Sequence, residues 1–324
     1  MVKGFKQLDP LLIISQTNQD LFADYNNEVF LQESSKIKLI LSGITIKRRI
    51  KKLLQRLLQE YGPLQLYFPA FHPYNYHFTA YAKAQADLKT IITIHDYYTH
   101  KGERSSLIEA LQKKSILDCD KVICLTAYVK QQLDTDLGQG EKTTVFPHPI
   151  IDLGIKNTLA YSPQPRLLFL GRGVKYKGLE NLIAAVADLP IQQLTIAGKM
   201  TYSLTATSEK IDIIDDYISE DRMKELLLSH HILVLPYTEA SQSGILTIGI
   251  AAEMVIVISK VGGLEEQLAS DAAIWVAPTV ASLKAGLQEL IGSRTRYEGT
   301  KSMVRKYRLM MDRDQDLQKT NSPK

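Results

Sequence analysis

Gly171-Arg172-Gly173-Val174-Lys175-Tyr176-Lys177-Gly178 follows an apolar run at 166–170 and precedes an amphipathic one at 179–187. If the first run is a parallel strand, this turn sits at its carboxyl end, where open α/β sheets bind ligands. Gly171 and Gly173 let the backbone approach a ligand closely. Arg172 offers a planar fork of donors and Lys177 a point charge, a pair suited to a diphosphate. The turn fits neither common phosphate fingerprint, because Tyr176 stands where G-x-G-x-x-G needs its third glycine and Leu179 where a P-loop needs lysine. A solvated basic turn is the competing reading. A second loop, Pro236-Tyr237-Thr238-Glu239-Ala240-Ser241-Gln242-Ser243-Gly244, follows the apolar run 232–236 and feeds a helix opening near Gly244. Small hydroxyl residues and a glycine at a helix N-terminus make an anion site, or else an ordinary N-cap. Val261-Gly262-Gly263-Leu264-Glu265-Glu266 is a third glycine-containing turn after a strand. Three such turns on one sheet edge reinforce one another.

His95 ends the apolar run 90–95, is followed by Asp96, and precedes a loop with His100, Lys101, Gly102 and Glu103. A histidine at a strand end can bond a sugar hydroxyl or a phosphate, or can simply be fixed by its neighbours. The aromatic stretch at 67–78 could line a sugar or lipid-carrier groove, with core packing explaining about half of its rings. Lys47, Arg48, Arg49, Lys51, Lys52 and Arg56 lie opposite Ile46, Ile50, Leu53, Leu54, Leu57, Leu58 and Tyr61 at helical spacing. This predicts a helix packed on the core with a basic face that an anionic membrane surface would attract. The acid triplets Asp118/Asp120, Asp134/Asp136 and Asp312/Asp314 read as chance alternation, so no metal is expected.

The elements that must position these residues alternate between short runs rich in Val, Ile and Leu and longer amphipathic stretches, the pattern of buried parallel strands and covering helices. In the first half, strands are predicted at 11–15, 28–31, 38–41, 64–68, 90–95, 121–125 and 143–146. Helices fall at 46–61, 74–86, 105–117 and 128–133. In the second half, strands are predicted at 166–170, 193–197, 211–214, 232–236, 255–259 and 273–276, with helices at 179–187, 219–229, near 244, at Leu264, at 280–291 and at 303–311. A polar stretch at 152–165 reads as a junction between domains 1–150 and 151–324, and residues 312–324 as a fraying polar tail. The fold class is α/β, with two facing Rossmann-like domains.

Composition bounds the function. Thirty-nine basic and 35 acidic side chains leave a charge of +4 over 324 residues, too diffuse to predict a nucleic-acid partner. Cys119 and Cys124 have neither the C-x-x-C spacing nor a second pair, which fits a reducing cytoplasm. No membrane span or secretory leader is expected, so the predicted location is cytoplasmic, with peripheral attachment at the inner face of the membrane.

From about residue 11 to 291, and most densely at 167–268, these motifs resemble the GT-B-fold retaining glycosyltransferases of the glycosyltransferase 4 type. Leu168-Phe169-Leu170-Gly171-Arg172 and Tyr176-Lys177-Gly178-Leu179 are similar to that family's donor-diphosphate loop, and Ser241-Gln242-Ser243-Gly244 to the loop meeting the donor's phosphates and sugar. Asp216-Tyr217-Ile218-Ser219 resembles the segment under the nucleotide base, Thr93-Ile94-His95-Asp96 the strand end facing the transferred sugar, and Phe146-Pro147-His148-Pro149 the start of the interdomain linker. The resemblance implies Arg172, Lys177 and His95 as catalytic residues. It implies Gly171, Gly173, Tyr217, Ile218, Glu239, Ser241, Gln242, Ser243, Gly244 and Thr247 as donor contacts. A nucleotide diphosphate sugar would then be substrate, a cell-surface or exopolysaccharide glycan (free or lipid-linked) the acceptor, and no cofactor would be needed.

Two departures from the pattern stand out. The usual pair of glutamates around the Ser-Gln-Ser-Gly loop is replaced by Ala240/Ser241 and Ile248/Gly249, leaving Glu239 the nearby acid, and Glu253-Met254-Val255 replaces a Gly-x-Pro turn. The opening strand and glycine-rich loop also have no counterpart before Leu11, so the N-terminal domain reads as shortened by its first β-α unit. These features motivate the alternative of a non-catalytic GT-B partner that binds nucleotide or glycan, and behind it a sugar-nucleotide epimerase.

Overall fold

The computed structural model describes residues 12–15, 27–31, 43–99 and 105–320. The chain packs as two compact units, residues 1–93 with 110–122 and residues 94–109 with 123–324. The expected strand at 38–41, the loop residues His100 to Glu103 and the chain before Leu12 lie outside the described residues.

In the first unit β1 (Leu12–Ser15) pairs in parallel with β2 (Asn27–Leu31). Helix α1 (Gly43–Tyr61) lays Ile46, Ile50, Leu53, Leu54 and Leu57 into a core shared with Tyr74, Phe78, Ala82 and Leu88. Tyr61 does not join that stripe and is exposed. The six cations of α1 all face solvent, as the 3.6-residue period requires once the apolar stripe is buried. Next come β3 (Leu64–Phe68), α2 (Asn75–Ala82) and β4 (Leu88–Ile94), with β3 and β4 parallel. Helix α2 is shorter than the pattern predicts, because the Ala84 and Gln85 N–H groups turn to carbonyls three residues back. Of the aromatic stretch, Tyr74 and Phe78 are core residues, and Phe78 meets Phe68 at 5.9 Å. After α3 (Ser106–Asp118) come β5 (Lys121–Cys124) and then, within the second unit, α4 (Ala127–Leu137) and β6 (Thr143–Val145); the strand order is β3-β4-β5-β6.

The second unit is dominated by a six-stranded sheet in which every pairing is parallel. Its strands are β7 (Arg166–Leu170), β8 (Gln193–Ala197), β9 (Ile211–Ile214), β10 (Ile232–Leu235), β11 (Val255–Ser259) and β12 (Ile274–Val276). Between and beyond them run α5 (Leu179–Val186), α6 (Glu220–Ser229), α7 (Gly244–Ala251), α8 (Val280–Ile291) and α9 (Arg294–Thr320). Read across the sheet, the order is β9-β8-β7-β10-β11-β12. It reverses direction between β7 and β10, and such a switch point opens a crevice at the carboxyl ends of the two strands. Strands β10 and β11 are buried at every position, as helices on both faces of a parallel sheet demand.

The polar stretch at 152–165 is tied down by distant residues. Asn157 donates to the Leu227 and His230 carbonyls at 2.7 and 2.8 Å, and Lys301 donates to the Leu159 carbonyl at 2.6 Å. Helix α9 runs to Thr320, and the rest of the expected polar tail lies outside the described residues. No glycine or proline follows Gly299 before residue 320, and Arg308 pairs with Asp312 at i,i+4 within the helix.

Candidate functional site

The loops after β7 and β10 flank the switch point and touch through their backbones. Gly171 leaves β7 at φ +128 while its N–H donates to the Ala197 carbonyl at 2.9 Å. Gly173 continues the pairing as a bridge to Met200, whose Sδ would be 1.9 Å from any Cβ at this position. A 3-10 turn at Lys175–Lys177 ends on Gly178, whose φ is +67 and where a Cβ would stand 2.0 Å from the Pro236 carbonyl oxygen. Thr238 then donates to the Tyr176 carbonyl through both its N–H and its Oγ1, at 2.8 and 3.1 Å.

The cations of the first loop have different fates. Lys175 is engaged with Glu180 and lies 3.9 Å over the Tyr202 ring, with Tyr202 in turn donating to Glu180. Lys177 is half-buried, with its Nζ 3.5 Å from the centroid of Tyr237, an attraction between ammonium and ring face. Arg172 is exposed on the same turn. Tyr237 is fully buried, and burial pushes its phenol up to about 12, against the lowering effect of Ser243. It therefore stays neutral and serves as an apolar floor under the ammonium.

Ser243 is the N-cap of α7. Its Oγ accepts from the Leu246 N–H at 3.2 Å and meets the Tyr237 hydroxyl at 3.2 Å, while its own N–H donates to Gln267 Oε1 at 2.7 Å. Thr247 is buried and donates to the Gly244 carbonyl, so its hydroxyl serves α7 itself. Gln242 has a buried Oε1 without a hydrogen-bond partner. Ser241 is buried, and its carbonyl accepts from Thr126 Oγ1 at 3.1 Å. Glu239 is half-buried and one residue from Ala240. The third turn closes on the second, since Cβ atoms at Gly262 and Gly263 would lie 1.9 and 2.2 Å from the Ala240 and Ser241 carbonyl oxygens. The three glycine-containing turns thus meet, the smallest residue standing wherever two backbones come closest.

On the far side of β8, Tyr217 is 84% exposed, while Ile218 packs on the core. His95 follows β4 directly and is half-buried. His148 lies near it and was given no role by its residue type or spacing; burial holds it below the usual imidazole range, and the His95 charge adds to that effect. Its Nε2 is 3.7 Å from where a Gly244 Cβ would be.

Several other partners were equally invisible in the sequence. Glu266 caps the N-terminus of α4 by accepting from the Ala127 and Tyr128 N–H groups, so that turn's acid faces a helix end rather than a ligand. A cavity of about 440 Å³ is lined by Tyr128, Lys130, Gly262 and Glu266, and another of about 530 Å³ by Met303, Tyr307 and Met310; neither is lined by Arg172 or Lys177. The aspartates of the first two acid triplets are engaged structurally. Asp118 pairs with Lys83, Asp120 accepts from Thr90, Asp134 pairs with Lys130, and Asp136 accepts from Tyr97.

Two family models together span most of the chain: Glycosyltransferase Family 4 matches residues 17–152 and Glycosyl transferases group 1 residues 153–307. Among solved structures, a glycosyltransferase from Rickettsia africae is 16% identical, covers 99% of this chain and 93% of its own, and superimposes with a TM-score of 0.71. Anabaena HepE in complex with UDP and glucose is 13% identical, with 96% and 91% covered and a TM-score of 0.74. The sucrose-phosphate synthase of Thermosynechococcus elongatus is 16% identical, with 86% and 80% covered and a TM-score of 0.63. At such identities the likeness speaks for the fold. No curated protein matches the chain by sequence.

Proposed function

Because this chain is a glycosyltransferase of GT-B fold and glycosyltransferase 4 type, we propose that it carries its sugar donor as a nucleotide diphosphate on the loops after β7 and β10. The observation that carries this reading is the meeting of three glycine-containing turns beside the switch point, with Lys177 seated over Tyr237. The diphosphate lies against Arg172, Lys177 and the α7 N-terminus. As the sugar departs, charge grows on the bridging oxygen, and these fixed positive groups lower the barrier by meeting that charge without having to reorganise. The chemistry runs without a metal, and activity should persist in EDTA.

Ser241, Gln242, Ser243 and Gly244 contact phosphate and sugar, and the unpartnered Gln242 Oε1 is an acceptor a sugar hydroxyl can satisfy. His95 faces the transferred sugar. The exposed Tyr217 ring is a stacking surface for the base. HepE is described in complex with UDP and glucose, which supports a uridine donor as the first to try. The acceptor is a cell-surface or exopolysaccharide glycan, free or lipid-linked, and the sugar is transferred with retained anomeric configuration, to be read from the product's anomeric proton coupling.

A thermal-shift and calorimetric screen of UDP-, GDP- and dTDP-sugars tests the donor reading, since a ligand bound only by the folded chain raises its stability. Arg172→Ala and Lys177→Ala should each weaken nucleoside diphosphate binding by about 10- to 100-fold, the range for a lost charge-assisted hydrogen bond. Unchanged binding in both variants would remove the proposal.

The basic face of α1 is proposed to hold the enzyme against anionic lipid. Its apolar stripe is committed to the core, so the attraction is electrostatic, about 1 kcal/mol per cation near the surface. Co-sedimentation with phosphatidylserine vesicles should disappear at high salt and in a variant with Lys47, Arg48, Lys51 and Lys52 replaced by glutamine. No helix among the described residues is long and apolar enough to cross a membrane.

A further inference from the structure

The His148 Nδ1 lies 2.9 Å from the Pro149 carbonyl oxygen. A carbonyl only accepts, so this nitrogen carries the ring proton, and in the neutral imidazole Nε2 remains a lone-pair acceptor. That acceptor faces the first residue of α7, where a side chain at Gly244 would begin 3.7 Å away. Burial lowers the ring's proton affinity, which favours this neutral form.

Two chemically different groups of a nucleotide sugar could meet this atom. A phosphate oxygen has only lone pairs to offer, and two acceptors repel. A sugar hydroxyl brings a proton to donate. We propose that His148 is a specificity-determining residue for the donor: its Nε2 accepts a hydrogen bond from a hydroxyl of the transferred sugar, beside the helix end that holds the diphosphate. A Cβ at Gly244 would stand in ordinary contact with that nitrogen, so the helix start and the ring edge border the same space. The inference rests on the reading that a nucleotide sugar binds the α7 loop.

Calorimetry on the full chain with matched pairs tests it: UDP and UDP-glucose, GDP and GDP-mannose, dTDP and dTDP-glucose. In His148→Ala the Kd of the diphosphate should stay within twofold, while that of its sugar nucleotide rises about tenfold, the scale of one lost hydrogen bond. His148→Gln, which retains an acceptor, should recover much of the loss. His148→Phe keeps a ring without the acceptor, should behave like alanine, and serves where alanine impairs folding. A parallel loss for diphosphate and sugar nucleotide, or no loss for either, overturns the assignment to a sugar hydroxyl. Failure of the unaltered protein to bind any diphosphate would instead overturn the donor reading beneath it.

Discussion

Gly178 joins the two loops of the proposed donor site, and alanine there tests whether their contact positions the cations. Its φ of +67 is a left-handed conformation, which costs a residue with a Cβ about 1–2 kcal/mol. The added Cβ would also stand 2.0 Å from the Pro236 carbonyl oxygen, whereas ordinary contact begins near 3.4 Å. Both partners are backbone, so neither can turn aside, and the loops must part by about an ångström, overpacking that costs a further 1–3 kcal/mol. Gly138 is the control: its φ is +63, but nothing lies within 4 Å of its Cβ position. Gly138→Ala should therefore carry the backbone cost alone. For a unit of this size, with each kcal/mol worth about 2–4 °C, Gly138→Ala should melt a few degrees low and Gly178→Ala by roughly twice as much. Displacing Lys177 by an ångström should also lower kcat/KM by up to about 100-fold, with little effect in Gly138→Ala. Equal melting points for the two variants, with unimpaired turnover in Gly178→Ala, would refute the reasoning.

Glu253 holds a φ of +55 where the family has glycine, and its buried carboxylate meets Arg308 at 3.2 Å. Glu253→Gly relieves about 1–2 kcal/mol of backbone strain but strips a buried ion pair worth about 3–5 kcal/mol to break, so denaturation should show a net loss of about 1–4 kcal/mol, toward the low end because Asp152 and Asp312 still meet Arg308. A more stable glycine variant would contradict this. Burial and Arg166 hold His231 down to about 4, and its Nδ1 accepts from the Arg166 N–H. An unfolded histidine takes its proton near 6.5, so the unfolded chain is protonated first and stability falls between about pH 6.5 and 4, by up to about 3 kcal/mol. His231→Asn keeps an acceptor that does not titrate, and urea titrations at pH 7.5 and 4.5 should show a smaller difference between the two pH values than in the unaltered protein. Tyr237→Phe removes the hydroxyl that meets the Ser243 cap and should lower stability by about 1 kcal/mol, while the ring retained beneath Lys177 keeps diphosphate affinity within a fewfold; a tenfold loss would show that the hydroxyl itself matters for binding.

What the chain encodes locally was readable residue by residue. Strands β7, β8 and β9 and helix α8 fall where their apolar periods put them, and the glycine turns after β7, β10 and β11 follow from strand ends meeting helix starts. The basic face of α1 follows from the same periodicity. The decisive contacts were not readable, because their partners are far apart in sequence. Thr126 and Ser241 are 115 residues apart, and Glu266 reaches α4 across 139. Lys175 and Lys177 are chemically alike and two positions apart, yet only folding gives one to Glu180 and Tyr202 and the other to the ring of Tyr237. Glu253 reads as a broken glycine turn until Arg308 is found beside it. Periodicity and turn chemistry act over a few residues and set the elements, whereas side-chain environments depend on the strand order of the sheet, which brings turns after β7 and β10 together although some 60 residues separate Gly178 from Thr238.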